Sequence, residues 1–565
     1  MSPQDFTALA NALTLETQSG ATDETKRVRV LHGVYSLRGQ PGRYILRIRI
    51  PAGIIRPAQI ETIADLTAES GWPEGAHLTT RQGIEIAGVP AAEVVPFLHR
   101  IEAAGLTTLR TGGPVVRGVV CCPFSGVAGD EPFDVTPYAL AVDRYFREHP
   151  DFQKLPRKIK ISFESCRHDH VRTRVSDIGV RAVHQNGQKG FRIVVGGGLG
   201  ATPKTALVLE EFIPIEKLFP LLEAILRVFN RHGDRQNRAR ARLKWLLEEW
   251  GIARFRNAVL AELARLAAGP LAPQGPLPEI PEEQNQTPLP AGAPVSSESA
   301  EEYAAWWESN VKPQKQSGFA VASIRCPLGD LQPAQLRRVA EAARKFAGGV
   351  RTSIDQNLVL RWVREESLPG LHHFLRDDHL SSSRVEELVD VTRCVGATAC
   401  LSAITNPKPA AEAIAAALET DLARDPILQS LRIRISGCPN SCGHHHAADI
   451  GLFGVSKKFH DRPAPHYALL LGGNGSGEAF GARTIEIPAF RVAQAVEKVL
   501  RLYRADRAAD ESFSGYIGRV GLPRVREHLE PLTRLPAPGI EPEAYRDLGS
   551  DRDFSVGARG GECAA

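Results

Sequence analysis

The sequence predicts an internally duplicated α+β protein, and three observations support this fold class. Segments of the first half recur in the second half in the same order, both halves alternate strands with helices, and a proline-rich stretch lies between them. The chain has 565 residues. At about 150 residues per domain, this length predicts three to four domains.

The duplication appears as matched segments at a nearly constant shift. IPAGIIRPAQIETIADLT (50–67) matches CPLGDLQPAQLRRVAEAA (326–343) at a shift of 276 residues, and KIKIS (158–162) matches RIRIS (432–436) at 274. Further on, the tripeptide DIG recurs at a shift of 272. A period this long indicates two copies of a whole domain pair rather than a solenoid.

The first elements of each copy follow from side-chain periodicity. Residues 44–50 (YILRIRI) alternate apolar and charged side chains, which predicts a strand with Arg47 and Arg49 on its charged face. A helix is predicted from Pro57 to about Ser70, because proline suits a first helical position and Gly71 suits a helix end. HLTTRQGIEIAGV then reads as a second strand.

The rest of the chain divides along the same lines. The strand–helix–strand unit recurs at 319–363, and the longer segments 111–268 and 385–505 mix strands such as RKIKISF with helices such as PLLEAILRVFN. Between Pro270 and Pro294 eight prolines occur in 25 residues. Such composition is typical of an extended connector.

Composition and charge exclude several classes of protein. With 69 basic and 65 acidic side chains, the net charge of +4 does not indicate a nucleic-acid partner. No apolar run approaches the roughly 20 residues of a membrane span. The N-terminus lacks the features of a signal peptide. We therefore expect a cytoplasmic protein with no membrane or nucleic-acid partner, whose nine cysteines stay reduced.

A cysteine quartet is the strongest chemical signal. Cys394 and Cys400 form a C-x5-C pair, Cys438 and Cys442 form a C-x3-C pair, and 37 residues separate the two pairs. Four thiolates in two pairs can bind zinc or an iron–sulfur cluster. The wide C-x5-C spacing favours a [4Fe–4S] cluster, and a zinc site remains the alternative.

The first copy lacks this quartet in the sequence alignment. At a shift of 276, Arg393 aligns with Arg117, while Cys394 and Cys400 fall opposite Gly118 and Phe124. The sequence therefore predicts a metal site in the second copy only.

Cations on predicted strands form the second signal. In LPRKIKIS, the period of two places Lys158 and Lys160 on one face and Arg157 on the other. Arg81 and Arg117 lie in short segments rich in glycine and threonine. Such cations either form a solvated face or bind a polyanionic ligand or a small oxyanion.

Together these motifs resemble those of the sulfite and nitrite reductases that use sirohaem coupled to a [4Fe–4S] cluster. The resemblance covers roughly residues 25–520, is closest to the assimilatory sulfite reductases, and rests on the two cysteine pairs, LPRK-x-K, VGGGLG (195–200), the LTTRQ strand and the duplication. It implies two ferredoxin-like halves, plus two α/β halves that bind sirohaem and cluster, related by a pseudo-dyad.

The resemblance also implies domain boundaries, which we list in chain order. They are a ferredoxin-like half at 22–110, a sirohaem-binding half at 111–269, a linker at 270–312, a second ferredoxin-like half at 313–384, a cluster- and sirohaem-binding half at 385–510 and a C-terminal tail at 511–565.

Residue roles follow from the same resemblance. Cys394, Cys400, Cys438 and Cys442 are expected to ligate the cluster, and Cys442 also to bridge to the sirohaem iron. The positions that bind the substrate anion are Arg47, Arg117, Lys158 and Lys160. The positions that hold the sirohaem or its surroundings are Arg81, Arg157, Gln356, Asn357 and Asn440.

The resemblance implies six-electron reduction of sulfite to sulfide. In this family sulfite reductases typically carry Lys-x-Lys, as at Lys158 and Lys160, whereas ferredoxin-linked nitrite reductases carry Lys-x-Asn. Reduction of nitrite to ammonia is the alternative, and a cobalamin-pathway relative and a four-cysteine zinc protein are more distant ones.

Glu85 and Ala87 depart from the Gln and His of well-known sulfite reductases. No flavin or NADPH module is visible, so electrons are expected from a ferredoxin or a flavoprotein reductase.

Several side chains have no partner pattern. Cys121, Cys122, Cys166, Cys326 and Cys563 are expected to be buried or incidental thiols. The tract His444–His446 is expected to form a polar lining or a surface loop near the cluster. The basic run at 231–245 is expected to form either a solvated helix face, which is preferred, or a contact with the sirohaem and the electron donor.

Overall fold

The computed structural model describes residues 1–267, 277 and 300–557, and these residues form four sheets of five strands each. The proline-rich segment between Pro270 and Pro294 lies outside the described residues, apart from Leu277, and so does Cys563.

The first small half begins with two helices that precede its sheet. Its elements are α1 (Pro3–Ser19), α2 (Asp23–Leu31), β1 (Val34–Ser36), β2 (Arg43–Ile48), β3 (Ile54–Ile55), α3 (Pro57–Ser70), β4 (Ala76–Leu78), β5 (Ile84–Pro90) and α4 (Ala91–Ala103). Helix α3 has the predicted ends: Pro57 occupies its first turn, and Gly71 closes it with a left-handed φ of 64°.

The first large half packs its helices against one mixed sheet in the order β10-β9-β8-β7-β6. Its elements are β6 (Val120–Cys121), α5 (Thr136–Glu148), β7 (Ile161–Glu164), β8 (Ile178–Gln185), β9 (Gln188–Val195), β10 (Leu207–Pro214), α6 (Leu218–His232) and α7 (Leu243–Ala267). Strands β6, β7 and β8 are parallel neighbours, so their carboxyl ends meet at one edge of the sheet.

The second small half repeats the first and starts earlier than the sequence suggested. Its elements are α8 (Ala300–Asn310), β11 (Val311–Pro313), β12 (Phe319–Ile324), β13 (Asp330–Leu331), α9 (Pro333–Phe346), β14 (Gly349–Thr352), β15 (Leu358–Arg364) and α10 (Leu368–Arg376). Helix α8 falls inside the predicted linker 270–312, and its Trp306 is fully buried against His372 of α10. This end of the linker is therefore part of the packed domain.

The second large half has the sheet order β16-β17-β18-β19-β20. Its elements are β16 (Thr392–Arg393), α11 (Pro407–Leu418), α12 (Pro426–Gln429), β17 (Ile433–Ser436), β18 (Ile450–Phe459), β19 (Arg462–Leu471), β20 (Ala482–Pro488), α13 (Val492–Asp506), α14 (Phe513–Val520) and α15 (Leu522–Leu529). Helices α14 and α15 lie in the predicted C-terminal tail, yet Phe513 and Leu529 are buried in the core of this half.

The two small halves exchange strands. Strand β3 pairs with β14 of the second half, and β13 pairs with β4 of the first. Two glutamines repeat this symmetry: Gln82 Nε2 donates to Thr352 O at 2.7 Å, and Gln356 Nε2 donates to Leu78 O at 2.6 Å. Both glutamines adopt a left-handed backbone, with φ of 60° and 67°. The predicted pseudo-dyad thus passes between them.

Strand register corrects the sequence alignment of the two large halves. Ile161 pairs with Ile178 in the first half, and Ile433 pairs with Ile450 in the second, so the sheets correspond at a shift of 272. The match of KIKIS to RIRIS at 274 is therefore wrong by two residues. A slip of two keeps every side chain on its face, so alternation alone cannot detect it.

The same correction changes which residue corresponds to the first cluster cysteine. Val120 pairs with Ser162, and Thr392 pairs with Arg434, again at a shift of 272. Cys122 therefore occupies the place of Cys394, which the sequence alignment assigned to Gly118.

Candidate functional site

The cysteine quartet lies at the carboxyl ends of two neighbouring parallel strands. Cys394 follows β16, while Cys438 and Cys442 follow β17, and this topology brings the two predicted pairs together. Gly437 N donates to Cys394 Sγ at 3.3 Å. Burial raises the pKa of Cys394 to about 11, and the neighbouring Cys442 adds to this rise. Cys442 is exposed, and its carbonyl accepts from Thr80 Oγ1 at 2.7 Å.

The spacing of the quartet differs from that of a mononuclear site. Zn–S bonds of about 2.3 Å place the sulfurs of a tetrahedral zinc site about 3.8 Å apart. Across the part of the chain that the structure describes, one group of three or more possible ligand atoms lies within 4.8 Å, and it contains none of these four cysteines. The donor set thus fits a larger polynuclear group better than a zinc ion.

Cations crowd together beside Cys442. The pKa of Lys160 lies well below its usual value because the ammonium is buried and faces Arg81, Arg242 and Lys158, and Cys442 partly offsets this effect. The pKa of Arg81 falls to about 9, through burial first and then through Arg117. Such mutual repulsion is what a bound polyanion relieves, so these side chains fit a cofactor with many carboxylates.

The predicted anion-binding residues divide into two groups. Arg117, Lys158 and Lys160 belong to the crowded cations around Arg81. Arg47 differs, because its Nε donates to Glu85 Oε1 at 2.6 Å and its guanidinium stacks on the ring of Tyr35. Glu85, one of the two departures in the sequence, thus neutralises one of the predicted cations.

The remaining predicted cofactor contacts occupy different environments. Asn440 is exposed next to the quartet, and Arg157 is half-buried before β7. Gln356 and Asn357 are 1% exposed, and their amides bond to the protein itself. Gln356 Oε1 accepts from Arg393 N, and Asn357 Nδ2 donates to Asp390. Gln356 thus positions the backbone next to Cys394, which agrees with a role in holding the surroundings of the sirohaem.

Sequence reasoning missed a buried charge network close to the crowded cations, which it meets at His444 and Lys160. Asp355 accepts from Arg172 and, at 3.1 Å, from Arg434, which holds the pKa of this carboxyl well below its usual range although burial opposes the effect. His444 Nδ1 lies 3.5 Å from Arg172. Burial, then Arg172 and Lys160, hold the pKa of His444 well below its usual value. The triple-histidine tract was the one visible signal for this network.

The basic run at 231–245 also contributes to the pocket. Arg242 Nη2 donates to both carboxylate oxygens of Asp177, at 2.8 and 2.7 Å, and Arg242 is one of the cations that face Lys160. Arg242 is mostly buried and is therefore not part of a solvated helix face, so the alternative of a sirohaem contact remains the expectation for this residue.

Two of the cysteines expected to be incidental lie in a tight group. Cys122 and Cys166 stand with Glu164 and His170, all four ligand atoms lying within 4.8 Å of one another. Cys121 and Cys326 are buried free thiols, as expected.

Comparison with known proteins decides the family. The family model described as the nitrite and sulphite reductase 4Fe-4S domain matches residues 112–266 and 385–535, and that of the nitrite/sulfite reductase ferredoxin-like half domain matches 37–104 and 312–377. The chain belongs to the nitrite and sulphite reductase family.

Relatives of this family member cover most of its length. It is 30% identical over 462 residues to a ferredoxin–nitrite reductase of Synechococcus elongatus. The aligned region covers 80% of this chain and 84% of the relative. It is 26% identical to an assimilatory ferredoxin-dependent nitrite reductase of Haloferax mediterranei, covering 88% and 86%. The Mycobacterium tuberculosis NirA structure matches with a TM-score of 0.76 at 22% identity, over 92% of this chain and 95% of that one.

Family membership confirms the coarse predictions. The chain is an oxidoreductase of the sulfite/nitrite reductase family, its duplicated α+β fold with ferredoxin-like halves is the family's fold, and its cofactors are sirohaem and a [4Fe–4S] cluster. Within the described residues, no helix combines the length and apolar character that a bilayer crossing needs.

Proposed function

We propose that this enzyme reduces nitrite to ammonia, with electrons supplied singly by a ferredoxin. The curated relatives named above are ferredoxin-dependent nitrite reductases, which favours nitrite over the sulfite that the Lys-x-Lys motif suggested. The ion pair between Arg47 and Glu85 carries the proposal within this chain. Because Glu85 cancels one of the predicted cations, the anion site has less positive charge, which suits a monoanion such as nitrite.

The proposed cofactor-binding residues are the cysteine quartet, nearby cations and Asn440. Cys394, Cys400, Cys438 and Cys442 would hold the cluster, with Cys442 shared with the sirohaem iron. Arg81, Arg157 and Asn440 would hold the sirohaem, together with Arg172 and Arg242 from the newly recognised cations. When bound, the two groups would store electrons and pass them to the substrate anion.

Side chains near Cys442 would supply protons. Conversion of nitrite to ammonium takes up six electrons and eight protons and releases two waters. A group that is acidic enough near neutral pH can donate protons in this chemistry. Lys160 lies among Arg81, Arg242 and Lys158 near Cys442, and its ammonium would donate protons to the anion.

Steady-state assays of the holoenzyme with both anions test the proposal. Turnover of nitrite and turnover of sulfite are each measured with two electron donors. One donor is reduced ferredoxin, and the other is a reduced viologen dye, which needs no docking surface. We expect kcat/KM for nitrite to exceed that for sulfite at least tenfold with either donor. A higher kcat/KM for sulfite would overturn the assignment of nitrite, and activity with the dye alone would overturn that of ferredoxin.

Sulfite is the second candidate, favoured by the second ammonium at Lys160. If Lys160 sets the preference, Lys160→Asn should lower kcat/KM for sulfite more than kcat/KM for nitrite. The surface variant Lys345→Asn should change neither of these two values. An unchanged ratio in Lys160→Asn would remove this argument for sulfite.

We also propose a cytoplasmic location. Cys121, Cys122, Cys166 and Cys326 are buried thiols without a disulfide, which suits a reducing compartment.

A further inference from the structure

The group formed by Cys122, Glu164, Cys166 and His170 has the dimensions of a tetrahedral metal site. Cys122 Sγ lies 3.5 Å from Cys166 Sγ and 3.5 Å from His170 Nδ1, and His170 Nδ1 lies 3.7 Å from Glu164 Oε1. Around a zinc ion with Zn–S bonds of about 2.3 Å and Zn–N or Zn–O bonds of about 2.0–2.2 Å, ligand atoms lie about 3.3–3.8 Å apart. The distances between ligand atoms thus need little adjustment.

The ligand types also suit zinc. The group offers two thiols, one imidazole and one carboxylate, and zinc accepts each of these ligand types. Cys122, Glu164 and Cys166 are 0–3% exposed. Structural zinc sites are closed in this way, without an open position for a substrate.

The pseudo-dyad gives an independent reason to expect a metal here. At the shift of 272 that strand register establishes, Cys122 corresponds to Cys394, Cys166 to Cys438 and His170 to Cys442. The first half thus presents ligands at three of the four places that the cluster cysteines occupy in the second. These ligand atoms converge closely enough for one ion.

The backbone around the group is already fixed. Glu164 Oε1 accepts from the N–H groups of Ser165 and Cys166 at 2.9 and 2.8 Å, and Oε2 accepts from that of His170 at 2.6 Å. Cys122 N donates to Phe163 O at 2.9 Å. The ligands therefore lie on a turn and a strand end whose positions do not depend on the sirohaem pocket.

We propose that the first large half binds one structural Zn²⁺ ion through Cys122, Cys166, His170 and Glu164. The ion would fasten the turn at 165–171 to the end of β6. Arg172 follows this turn directly and contacts Asp355 and His444. The zinc would thus position one wall of the cofactor pocket without taking part in electron transfer.

Metal analysis of the holoenzyme tests the proposal. The protein is produced in medium with added zinc, purified with its iron cofactors, and zinc per chain is measured by mass spectrometry. The variants are Cys122→Ser combined with Cys166→Ser, and Cys326→Ser as a control at another buried thiol. We expect about one zinc per chain in the unaltered protein and in the control, and at least tenfold less in the double variant.

X-ray absorption at the zinc edge identifies the ligands in the presence of iron. We expect two sulfur neighbours at about 2.3 Å and two nitrogen or oxygen neighbours at about 2.0 Å. A shell of four sulfurs would place the zinc in the cysteine quartet and overturn the proposal. A zinc content of the unaltered protein no higher than that of the double variant would also overturn the proposal. A Cys122–Cys166 disulfide found by peptide mapping of the unaltered protein would do the same. If the double variant fails to fold, the unaltered protein alone decides.

Discussion

The two large halves offer metal ligands at corresponding places but arrange them differently. In the second half, cysteines follow two adjacent parallel strands at a spacing that suits a polynuclear cluster. In the first, Cys122, Cys166 and His170 stand at the matching positions and converge with Glu164 within 4.8 Å. The shared sheet thus determines where ligands lie, while the side chains and the turns between strands determine how large a metal group fits between them.

The largest expected effect separates the two metal sites. Cys442→Ser removes the thiolate that we propose cluster and sirohaem share, so kcat for nitrite and for sulfite should fall at least about a hundredfold. His170→Ala changes the corresponding position of the first half, and it should keep the cluster's acid-labile sulfide and most of the activity. If Cys442→Ser keeps full turnover, the proposed bridging position is wrong.

The second-largest expected effect concerns the opposite charges of two positions related by the pseudo-dyad. Because Gln82 and Gln356 correspond, Arg81 and Asp355 occupy equivalent places. Asp355→Asn leaves Arg172 and Arg434 buried without their carboxylate, and breaking a buried pair costs about 3–5 kcal/mol. Urea unfolding should show this loss in the free energy of unfolding.

The control for Asp355→Asn is a surface ion pair. Asp65→Asn removes the partner of Arg337, where both side chains are half exposed, and such pairs contribute about 0–1 kcal/mol. Equal losses in the two variants would contradict the assignment of a buried network.

A smaller effect concerns the crowded cations in the protein freed of sirohaem. Burial and neighbouring cations lower the pKa of Lys160, and they lower that of Arg81 to about 9. Above each lowered pKa the unfolded chain binds a proton that the folded chain has lost, so the free energy of unfolding should rise with pH. Each such group contributes at most about 1.4 kcal/mol per pH unit.

Buried thiols such as Cys394, whose pKa is raised to about 11, have the opposite effect over the same pH range. Urea unfolding at about pH 8 and about pH 10 is therefore compared between the unaltered protein and Lys160→Met, and the difference isolates the contribution of Lys160. Lys160→Met should reduce the rise with pH, and bound sirohaem should reduce it as well because its carboxylates favour the protonated cations. An equal change with pH in the unaltered cofactor-free protein and in Lys160→Met would contradict the described crowding.

The smallest expected effect concerns substrate preference. Glu85→Gln removes the carboxylate that pairs with Arg47, so the anion site gains positive charge. We expect KM for sulfite to fall a few-fold relative to KM for nitrite, since sulfite carries more charge at neutral pH. Steady-state kinetics with both anions measure the ratio, and an unchanged ratio would mean that Arg47 does not contact the anion.

The sequence was sufficient for the duplicated fold, the helix from Pro57 and the cysteine quartet, because these depend on local patterns and chain order. It was insufficient for the register of the large sheets, where a slip of two residues leaves alternation unchanged. Cys122 and Cys166 seemed incidental because 43 residues separate them in the chain. In the structure only 3.5 Å separates their sulfurs. Asp355 and Arg172 were missed because they are far apart in the chain and only tertiary contacts bring them together.

The exchanged strands have a consequence for synthesis on the ribosome. Strand β4 lacks its outer neighbour until β13 (Asp330–Leu331) has left the exit tunnel, and β3 lacks β14 (Gly349–Thr352). For more than 250 residues of elongation the nascent first half exposes unpaired strand edges, which are templates for aggregation. A gene fragment that ends before β14 should therefore yield an aggregating product, and the two small halves should acquire protection from amide hydrogen exchange together.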